Sequence, residues 1–334
     1  MSTPARPAVV AVTDTAVPDE TLERALADEL GATYNSCADG LDVASCLADA
    51  DVVLTNFVPL GRGELSLVRA GAAVIRYGVG VDNVDLAAAA ELGLRVANVP
   101  DYGANVVADH AALLTGMLVR RIPRFDRRMH DGATPDLTEF GPVRSLESLT
   151  VGLVGAGRIA QLTAARLQAF GLTVIAADPF ADEAALASRG IRLTSLDDLL
   201  SSSDVVSLHA PLTADTTHLL DDAAFAAMRD GVFVVNTARG GLVDTDALMR
   251  ALDSGRVAGA ALDVTDPEPL PADSALRRRD NVVLTPHVAF YSTESMARLQ
   301  RQAVEEARRA LLGEALRSPV PLPELETSDR EGRP

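Results

Sequence analysis

The chain has 334 residues, 48% hydrophobic and 23% charged, which is long for one compact domain and suits two that each bury a core. Lys+Arg total 30 against 47 Asp+Glu, a formal charge of −17, and because the sequence contains no lysine every fixed side-chain cation is arginine. This excludes lysine Schiff-base chemistry, leaves anion binding to arginine, and argues against nucleic acid and anionic membrane as partners. The two cysteines, Cys37 and Cys46, are too few for a disulfide framework and sit in no metal-like cluster, so no metal is expected. No segment reaches the ~18 apolar residues of a membrane span or forms an export signal, so a cytoplasmic protein is expected.

In chain order, short β-branched runs come first: "AVVAVTD", "DVVLTN", "AAVIRYG" and "LRVANV", separated by helical stretches such as "TLERALADEL" and "LAAAAELG". That alternation predicts a parallel sheet covered by helices. The segment "NVVADHAALLTGMLVRRIPRFDRRMHDG" predicts a long helix that Pro123 breaks near Ile122, serving as a bridge or an oligomer-forming arm. After a loop from Gly132 to Leu149, six further runs predict a doubly wound dinucleotide domain: "TVGLVG", "LTVIAAD", "DVVSLHA", "GVFVVNTA", "VAGAALDV" and "NVVLTPH". A last amphipathic helix, "STESMARLQRQAVEEARRALLGEAL", needs a partner surface, which the first domain would supply. The proline-rich, charged tail 318–334 reads as disordered.

"VGLVGAGRIAQ" places Gly155, Gly157 and Ala160 in a G-x-G-x-x-A pattern between strand and helix. The first glycine permits the tight turn, the second admits a pyrophosphate to the helix N-terminus, and the third small residue lets helix and strand pack closely. Asp178 closes the next strand, where a carboxylate accepts ribose hydroxyls and repels a 2′-phosphate; Pro179 and Phe180 offer no compensating arginine. NAD is therefore expected over NADP.

Ligands of an open parallel sheet sit beyond the carboxyl ends of its strands. Three polar residues fall there: Arg239 in "TARGG", Glu268 in "TDPEPLP" and His287 in "LTPHVAF". Singly each reads as a surface or packed residue; together beside a cofactor motif they suit hydride exchange between NAD and a 2-hydroxy or 2-oxo acid. Arginine would neutralise the carboxylate and polarise the oxygen, a His–Glu pair would move the proton, and the neighbouring carboxylate would favour the protonated imidazole. In the first half, "RYGVGVDNVD" ends a strand with Gly78 and Gly80, whose backbone N–H groups, with Arg76, suit a carboxylate.

These motifs, with "GVGVDNVD", "SLHAPLT", "NTARGGLVD" and "ALDVTDPEPL", run from about residue 50 to 312, and the sequence resembles the NAD-dependent D-isomer-specific 2-hydroxyacid dehydrogenases. It is most similar to the branch containing C-terminal-binding proteins, through "IRYGVGVDNVD" and "TPHVAFYS", although Phe290 stands where that branch usually carries tryptophan. The resemblance implies two Rossmann-like doubly wound parallel-sheet domains: a discontinuous flavodoxin-like substrate domain, 1–100 with 293–317, and an inserted NAD-binding domain, 101–292. It implies Arg239, Glu268 and His287 as catalytic residues, with Arg76, Val79, Gly80 and Phe290 at the substrate. For NAD(H) it implies Gly155, Ala156, Gly157, Arg158 and Ile159 at the pyrophosphate and Asp178 at the ribose. His209, Ala210, Pro211 and Thr216 also lie at the cofactor, with Thr237, Ala238, Arg239, Asp263 and His287 around the nicotinamide. A homodimer through the NAD-binding domain and hinge closure that excludes water are implied as well. Glutamate at Glu268, where formate dehydrogenases carry glutamine, argues against formate, and the missing lysine near the glycine loop argues against phosphite. Two alternatives stay open: an NAD(H)-sensing dimeric scaffold of corepressor type, and a pathway-specific dehydrogenase for an unusual acid such as a phosphonate.

Overall fold

The computed structural model describes residues 6–15, 17 and 19–324. The chain divides into two compact units, Met1–Gly103 with Ser292–Pro334, and Ala104–Tyr291. Each is an α/β unit built on a wholly parallel sheet, as the alternating pattern predicts.

The first unit carries β1 (Val9–Val12), β2 (Thr33–Ser36), β3 (Val52–Thr55), β4 (Ala73–Arg76) and β5 (Arg95–Ala97), in the flavodoxin-like order β2-β1-β3-β4-β5. Every residue of β1 and β3 is buried, which is why these strands read as continuous apolar runs. The strand β2, "TYNS", escaped the sequence reading because it is a half-exposed edge strand with no apolar run. The helix Thr21–Leu30 stops on Gly31 in the left-handed conformation, φ 63°. The helix Thr293–Leu311 starts at Ser292, which exchanges side-chain hydrogen bonds with Ser295, and packs against β3, β4 and the helix Thr21–Leu30. The expectation of disorder from residue 318 is corrected at its start. Ser318 O accepts from Asn98 N, Val320 N donates to Val96 O, and Pro319 bridges antiparallel to Ala97, covering the edge of β5. Residues 325–334 of that tail lie outside the described residues.

The second unit carries β6 (Thr150–Val154), β7 (Thr173–Ala177), β8 (Arg192–Leu193), β9 (Val205–Leu208), β10 (Val232–Asn236), β11 (Val257–Leu262) and β12 (Val282–Leu284). Six of these are the predicted strands; β8 is a two-residue edge piece too short to carry a pattern. The order β12-β11-β10-β9-β6-β7-β8 reverses direction between β6 and β9, so the crevice for a ligand opens beyond the carboxyl ends of those two strands. The long helical segment is two helices, Ala104–Val119 and Ile122–His130; the turn between them holds Arg121 at φ 56°, and Pro123 sits in the first turn of the second helix, where a missing N–H costs nothing. Among the described residues no helix is long and apolar enough to cross a membrane.

Candidate active site

The cofactor motif is a backbone-to-backbone arrangement at the point where the strand order reverses. Gly155 leaves β6 at φ 92°, and a Cβ there would stand 2.8 Å from Ala210 N and 2.9 Å from His209 C, so both conformation and space demand glycine. Gly157 precedes the helix Arg158–Ala169 with no side-chain cap, and a Cβ on it would meet nothing within 4 Å. Gly157 therefore leaves room beside the start of that helix, where an anion is favoured. Ala160, at 1% exposure, packs into the sheet; Arg158 is exposed and Ile159 half-buried. Asp178 Oδ2 accepts from Ala156 N at 2.8 Å and its Oδ1 from Phe180 N at 2.9 Å, so the carboxylate that follows β7 is tied to the glycine loop.

After β9, His209 N donates to Val154 O, and its Nε2 lies 2.9 Å from Ser207 Oγ. Burial pushes the imidazole down to about 4, so this histidine is neutral at physiological pH. Thr216 Oγ1 donates to Pro211 O at 2.7 Å and accepts from Thr213 N at 2.7 Å, closing the loop beyond Ala210. After β10, the buried Asn236 accepts from Ala238 N at 3.0 Å and donates to Arg239 O at 2.8 Å, pinning the turn that presents Arg239. Thr237 Oγ1 is buried with no hydrogen-bond partner among the described residues. An open helix start, a ribose-type carboxylate, a neutral histidine and an unsatisfied hydroxyl along one sheet edge fit a dinucleotide.

Arg239, Glu268 and His287 leave the carboxyl ends of β10, β11 and β12, three neighbouring strands. The first two loops meet through Gly240, where a Cβ would stand 2.0 Å from Thr265 O. Glu268 lies between two cis peptide bonds, Asp266–Pro267 and Glu268–Pro269. Its Oε1 is 2.5 Å from His287 Nδ1, so Nδ1 carries the hydrogen of this bond.

His287 holds φ 53°, a conformation that costs a non-glycine residue about 1 kcal/mol or more. Asp263 enforces it from both sides. Its backbone O accepts from His287 N at 2.8 Å, and its carboxylate, in a residue 2% exposed, accepts from Thr285 Oγ1 at 2.5 Å, Val288 N at 2.9 Å and Ala289 N at 2.9 Å. His110 Nε2, from the helix Ala104–Val119, stands 3.2 Å from Thr285 Oγ1. Phe290 packs edge-on against the His287 ring at 5.9 Å.

The other expected substrate residues belong to the first unit. Arg76 ends β4 with its guanidinium 5.9 Å from the Phe57 ring, and Val79 and Gly80 follow on the loop, Val79 exposed and Gly80 half-buried. Val79 O accepts from Asn98 Nδ2 at 2.6 Å, and Gly78 O from Val99 N at 2.8 Å. Among the described residues no three His, Cys, Asp or Glu side chains gather as for a metal ion.

Residues 112–289 match the family "D-isomer specific 2-hydroxyacid dehydrogenase, NAD binding domain". The chain belongs to the D-isomer specific 2-hydroxyacid dehydrogenases. It is 40% identical over 256 residues to the D-3-phosphoglycerate dehydrogenase of Archaeoglobus fulgidus, a match covering 77% of this chain and 48% of that protein. The D-lactate dehydrogenase of Aquifex aeolicus, solved with NAD and lactic acid, is 30% identical with TM-score 0.81, covering 92% of this chain and 96% of that one. A glyoxylate reductase from Paecilomyes thermophila is 28% identical with TM-score 0.84, covering 95% and 99%. The chain spans about half the length of the curated relatives it matches.

Asn236, Thr285 and His110 were not singled out in the sequence of this dehydrogenase-family chain. Asn236 left a signal, a polar residue ending the apolar run "VFVVN", whereas His110 on an apolar helix looks like any packed histidine.

Proposed function

We propose that this protein reduces a small 2-oxo acid to the D-2-hydroxy acid, or runs the reverse reaction, with NAD(H). The observation that carries the reading is the 2.5 Å pair of Glu268 and His287 on a backbone that Asp263 holds in a strained conformation at a dinucleotide-type sheet edge. Bound NADH supplies the hydride. Ala156, Gly157, Arg158 and Ile159 would hold its pyrophosphate, Asp178 its ribose, and Thr237 and Ala238 the nicotinamide end, with His209, Ala210, Pro211 and Thr216 between them. His287 Nε2 gives the proton to the carbonyl oxygen, and Glu268 keeps the imidazole oriented and balances the charge that returns with the next proton. Arg239 polarises the carbonyl and neutralises the acid, and Phe290 contacts the substrate side chain; in the first unit, Arg76, Val79 and Gly80 are the residues suited to a carboxylate.

A panel of 2-oxo acids run with NADH and NADPH in parallel tests the reading. Oxidation of NADH with at least one short-chain acid is expected, and a chain that binds NADH yet turns over nothing would instead be the NAD(H)-sensing scaffold.

We also propose that the second unit forms a homodimer. Leu113, Ile122, Met129 and Leu137 are 60%, 49%, 57% and 84% exposed, an unusual amount of bare apolar surface on one helical pair and its following loop. Light scattering should give twice the chain mass, and Leu113→Glu with Met129→Glu should halve it.

A further inference from the structure

The first unit encloses an acid that the proposed chemistry does not use. Glu23, on the helix Thr21–Leu30, is fully buried. Its Oε1 accepts from Tyr77 OH at 2.5 Å and its Oε2 from Gln300 Nε2 at 2.8 Å; the same amide also donates to Asp19 O at 2.9 Å. The other titratable groups facing it are Glu20 and Tyr34, which bond to each other at 2.9 Å, while Arg24 pairs with Glu20 and Asp39. Both partners of Glu23 are therefore neutral donors, and a buried carboxylate held by neutral donors is an expensive choice for mere packing.

Its position gives the choice a purpose. Tyr77, at 1% exposure, is the residue between Arg76 and Gly78, the start of the loop assigned to the substrate carboxylate. Gly78 turns at φ 143°, and a Cβ there would lie 1.5 Å from an Arg76 guanidinium nitrogen, so arginine and glycine are folded onto one another. Beyond them the loop is held through carbonyls, Gly78 O by Val99 N and Val79 O by Asn98. The phenol of Tyr77 ties the start of this loop to Glu23 on the helix Thr21–Leu30, and Glu23 is in turn bonded by Gln300 on the helix Thr293–Leu311.

We propose that Glu23, with Gln300, acts through Tyr77 as a positioning pair that fixes the Arg76–Gly80 loop for the carboxylate of the 2-oxo acid. This rests on the function proposed above. The acid touches no reacting atom; it sets where the loop's arginine and N–H groups stand.

Tyr77→Phe keeps the ring and removes the hydroxyl; Glu23→Gln keeps the volume but turns an amide nitrogen toward one of two donors, so one bond is lost. In either variant KM for the 2-oxo acid should rise about tenfold, with kcat within about twofold and the NADH dissociation constant unchanged. Amide exchange in peptides spanning 76–84 and 96–100 should quicken about tenfold, with 150–180 unaffected. A lower melting temperature with KM and loop exchange unchanged, or an equal loss of NADH affinity, would overturn the positioning role. If the wild-type protein turns over no 2-oxo acid, the functional reading fails separately, and the loop exchange of Tyr77→Phe alone decides whether the tether exists.

Discussion

Each unit buries an acid beside a loop proposed to serve the reaction, and the two acids hold their loops differently. Asp263 takes its donors from the loop itself, Val288 N, Ala289 N and Thr285 Oγ1, so it sets the backbone of His287 directly. Glu23 takes its donors from side chains, Tyr77 and Gln300, so it acts on the Arg76–Gly80 loop at one remove. The contrast suits the two proposed tasks. A proton donor must be placed within a fraction of an ångström, whereas a carboxylate cradle tolerates a looser hold.

The comparison can be broken in order of expected effect. Removing what the direct hold serves is the largest: His287→Ala or Arg239→Ala should lower kcat/KM roughly a thousandfold with the fold retained by circular dichroism, and unchanged turnover in either would remove the assignment. Removing the direct hold comes next. Asp263→Ala strands three donors, one of them buried and two half-buried, so kcat should fall about a hundredfold and denaturant unfolding should show a loss of about 3 kcal/mol, well beyond the effect of Tyr77→Phe on either measure. Asp178 gives a smaller, selective effect. It is half-buried and bonded to Ala156 N and Phe180 N, so Asp178→Ala should narrow the preference for NADH over NADPH about tenfold, measured as the ratio of their kcat/KM values.

The smallest effect is in pH, where the two units carry opposite signs. Burial raises the pKa of Glu23 above its ordinary 4.5, so the folded state binds the extra proton and stability falls as pH rises beyond 4.5. Burial lowers His209 from 6.5 to about 4, so the unfolded state binds the extra proton and stability falls as pH drops from 6.5 toward 4. Glu23→Gln should remove a falling slope of melting temperature with pH, and His209→Gln a rising one; a slope of unchanged sign in either variant would show that burial is not the cause.

Much of the fold was legible because its signals are local. The strands β1, β3 and β9 are buried on every residue and read as mostly apolar runs, and the break in the long helix was announced by Pro123. The edge strands β2 and β8 were not, since an edge strand needs no apolar face and takes its conformation from the neighbour it pairs with. The start of the tail misled for a similar reason. Its composition suits solvent, yet its backbone groups find partners on β5 that no local pattern announces.

The sequence by itself determined the two parallel-sheet units, the glycine turn and the candidate residues Arg239, Glu268 and His287, because strand-end chemistry follows from strand order and spacing. Only the tertiary structure decided how those residues are held. Gly240 against Thr265, Asp263 beneath the left-handed His287, and Tyr77 joined to a glutamate 54 positions away are contacts between segments distant in the chain. A buried acid has no meaning in sequence until folding supplies the donors that make its burial tolerable.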